Sequence, residues 1–467
     1  MAERPWKFES SRPHQILGGE GRRLTAPRTL GFWTCLALVM GNMIGAGIFL
    51  LPAALAPLGW NAIAGWVVAI AGALCLAFVF ARLAGRFPEA GGPYVYAREA
   101  FGPATAFAVA WSYWISVWAA TPAIALAALS YLAYFAPALS PWSAPLAIVA
   151  VWLFTALNCA SMRGAGAVQI ATTIAKLLPL VAAIALGIIL AVGVGGENEG
   201  PAPGWPPSGI ALAGIGAAAA LALWAMLGFE AATVPAGHVR DPARTIPRAT
   251  MIGTLAVGAV YLAAYCAIAF SLPADTVAAS PAPFADFIAR FWHAGLASLV
   301  ALLAAVSALG ALNGWILVQG MLPLALARDG AFPSWFGRVS KSGIPVNAQL
   351  VSSGLATLLL VANASKSTAH LFVFMLLLST AASLFGYLIC ALGALRLARQ
   401  DRLEARPALL GCAIAGSLFS LFALAGAGIE PVGWGLALLA SGLPIYAAMR
   451  RKAARLSDSP PPTIPSH

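Results

Sequence analysis

The chain has 467 residues, of which 61% are hydrophobic and 9% charged, against the roughly 25% charged of a soluble domain. This composition excludes an ordinary soluble globular protein and reads as an integral membrane protein. The net charge of +11 is explained below by loop asymmetry, so it does not point to a nucleic-acid partner.

Residues 1–28 are polar and lack an apolar h-region with a cleavage site, which predicts a cytosolic tail rather than a signal peptide. Twelve apolar runs follow, near 30–57, 60–84, 103–135, 142–160, 166–192, 209–237, 247–271, 294–325, 347–363, 369–396, 407–427 and 431–449. Each is read as long enough to cross about 30 Å of hydrocarbon. The fold class expected is therefore all-α, with about 12 transmembrane helices.

The first run interrupts itself at Gly41-Asn42-Met43-Ile44-Gly45-Ala46-Gly47. Glycine costs roughly 1 kcal/mol in a helix interior, and unwound backbone at membrane depth is tolerated only where it is buried in protein or lines a cavity. A binding site follows from that reading. Close helix packing through Gly41 and Gly45 is the structural alternative.

The fifth run carries Lys176 and the sixth carries Glu230, the two ionisable residues well inside the spans. A charge at the bilayer centre costs at least about 2.5–3.5 kcal/mol on insertion scales, so both are expected to face the bundle interior. Each has a functional and a structural reading: a proton-coupling group, or a buried carboxyl and a tether to the first span. The sixth run is itself interrupted, with Gly228 and Glu230 in its middle and Pro235 after them. Discontinuous helices at positions one and six are the signature of an inverted repeat, whose half-helix ends face the charged groups of a substrate.

Basic residues alternate between loops. All but Arg290, Lys366 and the mid-span Lys176 of the 27 lysines and arginines fall on one side, which places both termini in the cytoplasm. Pro460-Pro461-Pro462 and Pro465 predict a disordered end. The six cysteines lie inside runs without paired spacing, so neither a disulfide framework nor a metal site is expected. No cofactor is expected. There is no nucleophile elbow, no H-E-x-x-H and no histidine pair at ligand spacing, which argues against an enzyme. The tails are too short for a sensor's signalling domain, and a channel filter is missing.

Several stretches carry a family resemblance: Gly41 through Pro52, Gly91-Gly92-Pro93-Tyr94-Val95-Tyr96-Ala97-Arg98, Trp224 through Glu230, Leu309-Gly310-Ala311-Leu312-Asn313-Gly314-Trp315, and Arg328-Asp329-Gly330-Ala331-Phe332-Pro333 with Gly343-Ile344-Pro345-Val346. Over residues 30 to 450 the chain resembles the amino acid-polyamine-organocation superfamily, most of all the bacterial arginine/agmatine antiporters of its basic amino acid/polyamine antiporter branch. The resemblance implies a LeuT-like 5+5 inverted repeat plus two further helices, alternating access, a homodimer, and a bacterial inner-membrane location with membrane lipid around it. The implied divisions are a tail over 1–28, a first repeat over 29–198, a second over 199–398, two helices over 399–450 and a tail over 451–467.

The resemblance also implies a substrate site. Asn42, Ile44, Gly45, Ala46 and Gly47 with Trp224, Ala225 and Leu227 hold the α-carboxylate and α-amino groups, and Trp224 and Trp315 sandwich the side chain. Thr121 and Ile124 of the third span and Ser379 and Tyr387 of the tenth face the pathway, Tyr94 serves a gate, and Glu230 senses protons. A planar, weakly hydrated guanidinium suits tryptophan faces, each contact contributing about 0.5–2 kcal/mol. Ordinary packing or interfacial anchoring is the other reading of these tryptophans.

Three departures open a second reading. Ala46 replaces a serine, Thr121-Pro122 stands where an asparagine contacts the guanidinium, and Pro122 is expected to disturb the third helix. Lys176 stands where proton-coupled and sodium-independent carriers of the superfamily also have lysine. The expected function is a secondary amino acid transporter, an arginine/agmatine-type exchanger of cationic amino acids and amines. The alternative is a proton-coupled or facilitated permease for neutral amino acids.

Overall fold

The computed structural model describes residues 30–89, 91–160, 176–192, 209–233, 239–328, 330, 332–340, 343–363 and 365–457. The two tails, the first half of the fifth run with Arg163, the 193–208 loop with Glu197 and Glu199, and Pro235 lie outside the described residues.

Every apolar run contains a helix. The first run is the pair α1 (Phe32–Met43) and α2 (Gly47–Leu55), set at 45° across a three-residue break. There follow α3 (Trp60–Arg86), the short α4 (Pro93–Phe101), α5 (Pro103–Ala133), α6 (Ser143–Ala160) and α7 (Leu178–Ala191). The second half comprises α8 (Leu212–Met226), α9 (Pro242–Ala269), the short α10 (Ala274–Ala279) and α11 (Pro283–Phe291), α12 (Ala294–Arg328), α13 (Val346–Ala362) and α14 (Thr368–Arg399). Last come α15 (Pro407–Ala427), α16 (Ile429–Ala440) and α17 (Gly442–Ser457).

Among the described residues, nine helical segments are long and apolar enough to cross a membrane, ten with the bent first pair counted as one. The described part of the fifth run and the ninth run form apolar helices of 14 and 17 residues, Leu178–Ala191 and Val346–Ala362, shorter than those. The described residues hold no sheet, only an isolated bridge between Leu30 and Val239. The protein is an all-helical, multi-pass membrane protein.

The helices sort into two packed groups. In one, α1, α2, α3, α8 and α9 lie together; in the other, α5 packs on α12 and α13, and α6 on α13. Both groups mix elements from the two halves of the chain. The long α14 joins them, lying against α5, α8 and α3. At the centre, 89% of the most apolar stretch of α5 is buried, whereas α16 leaves Trp434 and Leu436 exposed on its outer side. Exposed apolar side chains on outer helices are what a lipid-facing surface requires, since hydrocarbon accepts them without penalty.

Contrary to the sequence expectation, Pro122 does not break the third span. α5 is one element from Pro103 to Ala133. The proline removes only the amide that would reach the Trp118 carbonyl one turn back, and dense packing on all sides of α5 holds the rest of the helix.

Two ends of the molecule differ in chemistry. At one, Arg402 reaches the Glu99 carboxylate at 2.6 Å and its carbonyl at 2.8 Å, and Arg86 donates to the Arg402 carbonyl at 2.9 Å. At the other, Lys366 pairs with Glu430 at 2.6 Å, and the turn between α10 and α11 is hydrogen-bonded to the end of α5.

Candidate functional site: two facing helix breaks

The first break follows directly from its glycine-rich sequence. Ile44 leaves the helix with φ −75° and ψ 92°, and the chain re-enters at Ala46. Ala46 has no side chain able to cap α2, so the first amides of that helix point into the break without a side-chain acceptor. Such a terminus carries a partial positive charge and takes carboxylates. The carbonyls on the other side are held by distant groups: Tyr261 donates its hydroxyl to the Met43 carbonyl at 2.8 Å, and Lys176 Nζ lies 3.5 Å from the Gly41 carbonyl.

The second break ends α8 at Met226. Leu227 is extended, and Gly228 adopts φ +106°, a region that strains any residue with a Cβ. A short 3-10 turn, Phe229–Ala232, follows. Glu230 folds back so that its carboxylate accepts the Gly228 amide at 3.2 Å and the Tyr113 hydroxyl at 3.2 Å. It is 2% exposed, so this acid sits in protein rather than lipid.

The two breaks touch. A Cβ at Gly228 would lie 3.1 Å from the Asn42 carbonyl carbon, and one at Gly47 would lie 2.9 Å from the six-membered ring of Trp224. Trp224 therefore packs directly on the first turn of α2, where only glycine leaves room for it. On its far side Trp224 meets Phe372 of α14 edge to face at 5.8 Å. The third wall is α12: a Cβ at Gly45 would lie 3.8 Å from the Ala311 Cβ, and Trp315, one turn later on the same helix face, is half-buried. By contrast, among the described residues a Cβ at Gly41 would meet nothing within 4 Å, so packing among those helices does not explain that glycine.

The residues singled out in the sequence divide into three sets. Ile44, Gly45, Ala46, Gly47, Trp224, Ala225 and Leu227 line or flank the joined breaks, and a Cβ at Gly47 would lie 3.6 Å from the Ala225 Cα. Asn42 is exposed and its side-chain amide donates to the Leu38 carbonyl at 2.8 Å, so it is turned back onto its own helix. Thr121 and Ser379 are buried with their hydroxyls turned toward other helices. Thr121 bonds the Val117 carbonyl and Gln319 Oε1, each at 3.1 Å, and Ser379 donates to the Ser116 carbonyl at 2.8 Å. Ile124 is buried on α5 one turn past Thr121. Tyr387 joins the aromatic cluster of Phe80 and Phe229, with ring centroids at 5.3 and 5.1 Å, on the Glu230 side. Tyr94 is partly buried under Arg98, whose guanidinium carbon is 5.9 Å from its ring.

Sequence reading did not single out Tyr113, Phe372 or Gln319. Tyr113 is one of the few polar groups on the most buried helix, and that was its available signal. Gln319 anchors a seam among α5, α6, α12 and α13: its amide donates to Ser353 at 2.7 Å, Ser353 meets Thr155 at 2.7 Å, and Trp114 donates to Ser352 at 2.9 Å. Asn158 donates to Asn313 at 2.9 Å in the same layer. These bonds join elements of the two halves of the chain.

Comparisons with known proteins agree with this architecture. The amino acid permease family model matches residues 30–439. The chain is similar to the cadaverine/lysine antiporter of Escherichia coli K12, 36% identical over 344 residues that cover 72% of this chain and 76% of that protein. It is similar to a putative arginine/ornithine antiporter of Bacillus subtilis, 30% identical with coverage of 85% and 89%. A putrescine transporter of Haemophilus influenzae is also 30% identical, with coverage of 89% and 95%. With its helical membrane architecture and matched motifs, the chain belongs to the amino acid permease family, in the basic amino acid/polyamine antiporter branch of the amino acid-polyamine-organocation superfamily, and is a transporter, not an enzyme.

Proposed function

We propose that the protein exchanges a cationic amino acid for its amine by alternating access, with arginine and agmatine as the lead pair. The observation that carries this reading is the uncapped start of α2 lying beneath Trp224 and opposite the second break. Amides there take an α-carboxylate, and the free carbonyls at the end of α8 take the α-ammonium. Trp224 and Trp315, on α8 and α12, offer aromatic faces to a cationic side chain. The relatives are named for cadaverine and lysine, arginine and ornithine, and putrescine, which supports a cationic substrate and makes lysine and cadaverine the next pair to test.

The mixing of both halves in each helix group supports the twelve-span, 5+5 inverted-repeat arrangement, with spans one, two, six and seven moving against three, four, eight and nine. In this reading the arginine-rich end is cytoplasmic, both termini lie there, the membrane is the bacterial inner membrane, and the protein works as a homodimer. Glu230, held by Tyr113 and the Gly228 amide beside the second break, couples its protonation to the geometry of that break.

A second reading, proton-coupled or facilitated transport of neutral amino acids, has its own support. Lys176 contacts the Gly41 carbonyl of the first break, where a coupling cation would act, and the Thr121 hydroxyl is engaged with Gln319. Uptake of labelled arginine or lysine into liposomes that are empty, loaded with the same amino acid, or loaded with agmatine or cadaverine separates the two. Uptake confined to loaded vesicles supports exchange. Alanine or serine uptake into empty vesicles, abolished in Lys176→Ala, establishes the second reading and discards the first.

A further inference from the structure

A cavity of about 240 Å³ opens at the end of the molecule away from the arginine clusters. Its walls come from α2, the end of α5, the turn before α6, the turn between α10 and α11, and the start of α14. The polar residues of its wall are Ser130, Ser140, Ser143, Ser280 and Thr368, each with a hydroxyl. Its apolar side includes Phe372, the residue whose ring meets Trp224 over the first break. The cavity and the candidate substrate site are thus separated by one pair of aromatic rings.

The direction of the hydroxyl protons decides what this cavity can hold. A serine hydroxyl has one hydrogen to donate and two lone pairs. Ser130 gives its hydrogen to the Pro281 carbonyl at 2.6 Å, Ser143 gives its own to the Ser140 carbonyl at 2.8 Å, and Ser280 gives its own to Asp286 Oδ2 at 2.5 Å. With these three protons spent inside the wall, and one Ser280 lone pair taken by the Ala282 amide at 3.1 Å, the lone pairs left on the three oxygens are what they offer an occupant. Among the described residues, the wall holds no lysine, arginine or histidine. Behind Ser280 stands the Asp286 carboxylate in the first turn of α11. Neither cation described at this end is in the wall: Lys366 is paired with Glu430 at 2.6 Å and sits over Phe374, and Arg290 is an exposed residue one turn beyond Asp286. Asp275, also exposed, adds a further negative charge.

The Ser280 arrangement is firmly held. Ser130 and Tyr131 are consecutive on α5 and both grip the turn that carries it. Tyr131 accepts the Phe284 amide at 3.4 Å and donates to the Phe49 carbonyl of α2 at 2.9 Å. The rings of Tyr131, Phe49 and Phe284 pack edge to face at 5.9 and 5.6 Å.

We propose that this acceptor-lined cavity is a second binding site, selective for protonated primary amines, in which an organic cation waits outside the Phe372–Trp224 barrier. Its place on the substrate route rests on the transport reading above; its charge selectivity does not. A hydrogen-bond donor with an alkyl stem satisfies both the oxygen lone pairs and the Phe372 face, whereas a carboxylate would meet the Asp286 charge and three hydroxyl oxygens with no hydrogen left to give.

The test uses the full chain with one reporter, Ala369→Cys, at an exposed position of the cavity wall, with the six native cysteines measured as background in the parent. Reaction rates are compared for cationic and anionic methanethiosulfonates of similar size. The cationic reagent is expected to react about tenfold faster, the lower end of what a focused field supplies. 1,5-Diaminopentane should protect the cysteine against an uncharged reagent, and 1,5-pentanediol should not. Asp286→Asn and Ser280→Ala, each added to the reporter, should bring the rate ratio near unity. Equal rates for the two reagents, or equal protection by diol and diamine, would overturn the site. In exchange assays Asp286→Asn should raise KM from this side about threefold to tenfold with kcat unchanged, by the same field argument. Charge selection in a carrier that moves only neutral amino acids would keep the cavity proposal and remove the exchange reading. Exchange of cationic substrates through a cavity without charge preference would do the reverse.

Discussion

The two helix breaks are built from similar sequence and do different things. The first is left open: its glycines give the chain a bend, no side chain caps the new helix, and Trp224 rests on Gly47. The second is filled by its own residue, with Glu230 returning to the Gly228 amide and Tyr113 closing the carboxylate from α5. An open break can bind a ligand; a self-satisfied one can hold a conformation and release it when its acid changes charge. The contact of Gly228 with Asn42 makes the two mechanically dependent.

That contrast can be broken at its first member. Gly47→Leu forces a side chain into the Trp224 ring, 2.9 Å from where a Cβ would stand. Exchange in proteoliposomes should fall by about a hundredfold or more, the scale of a misplaced binding group, while the purified protein remains monodisperse on gel filtration. Preserved exchange would show that Trp224 need not lie on α2.

A change at the second break should spare binding and alter regulation. Glu230→Gln keeps the shape and removes the ionisable group, so the dependence of exchange on pH should flatten by about tenfold, within the range of ordinary linked ligands. If Glu230→Gln retains the parent's pH profile, the linkage lies elsewhere and the contrast between the breaks is lost.

Smaller effects sharpen the picture. Trp315→Ala should raise KM for a cationic substrate about 3- to 30-fold, the equivalent of one cation–π contact of about 0.5–2 kcal/mol, with little change for a neutral amino acid. Thr121→Val should leave KM almost unchanged and lower thermal stability, because its hydroxyl serves the Gln319 seam; losing one buried hydrogen bond costs about 1 kcal/mol. A large rise in KM for Thr121→Val would return that residue to the substrate pocket.

Much of the architecture was legible because the bilayer constrains it so strongly. A helix that must bury its own backbone in about 30 Å of hydrocarbon announces itself as an apolar run, and the run read at 407–427 coincides with α15. The breaks were legible for the converse reason: glycine and a charge inside such a run are costly unless something local repays them. Periodicity did not mark the short α10 and α11, which lie between runs, or the division of the last run into Ile429–Ala440 and Gly442–Ser457. Nor did it mark Tyr113 and Phe372, which are ordinary aromatic residues in apolar helices until their neighbours are known.

The sequence by itself determined the membrane class, the apolar runs, the two interruptions and the intramembrane acid, because each is a local cost that no distant contact can hide. Only the tertiary structure decided where side chains point. Thr121 and Ser379 carry hydroxyls fit for a pocket, yet both are engaged by neighbouring helices, and Trp224 is fixed by a glycine 177 positions away. A hydroxyl or ring has several rotamers and many possible partners, and packing between distant segments selects among them.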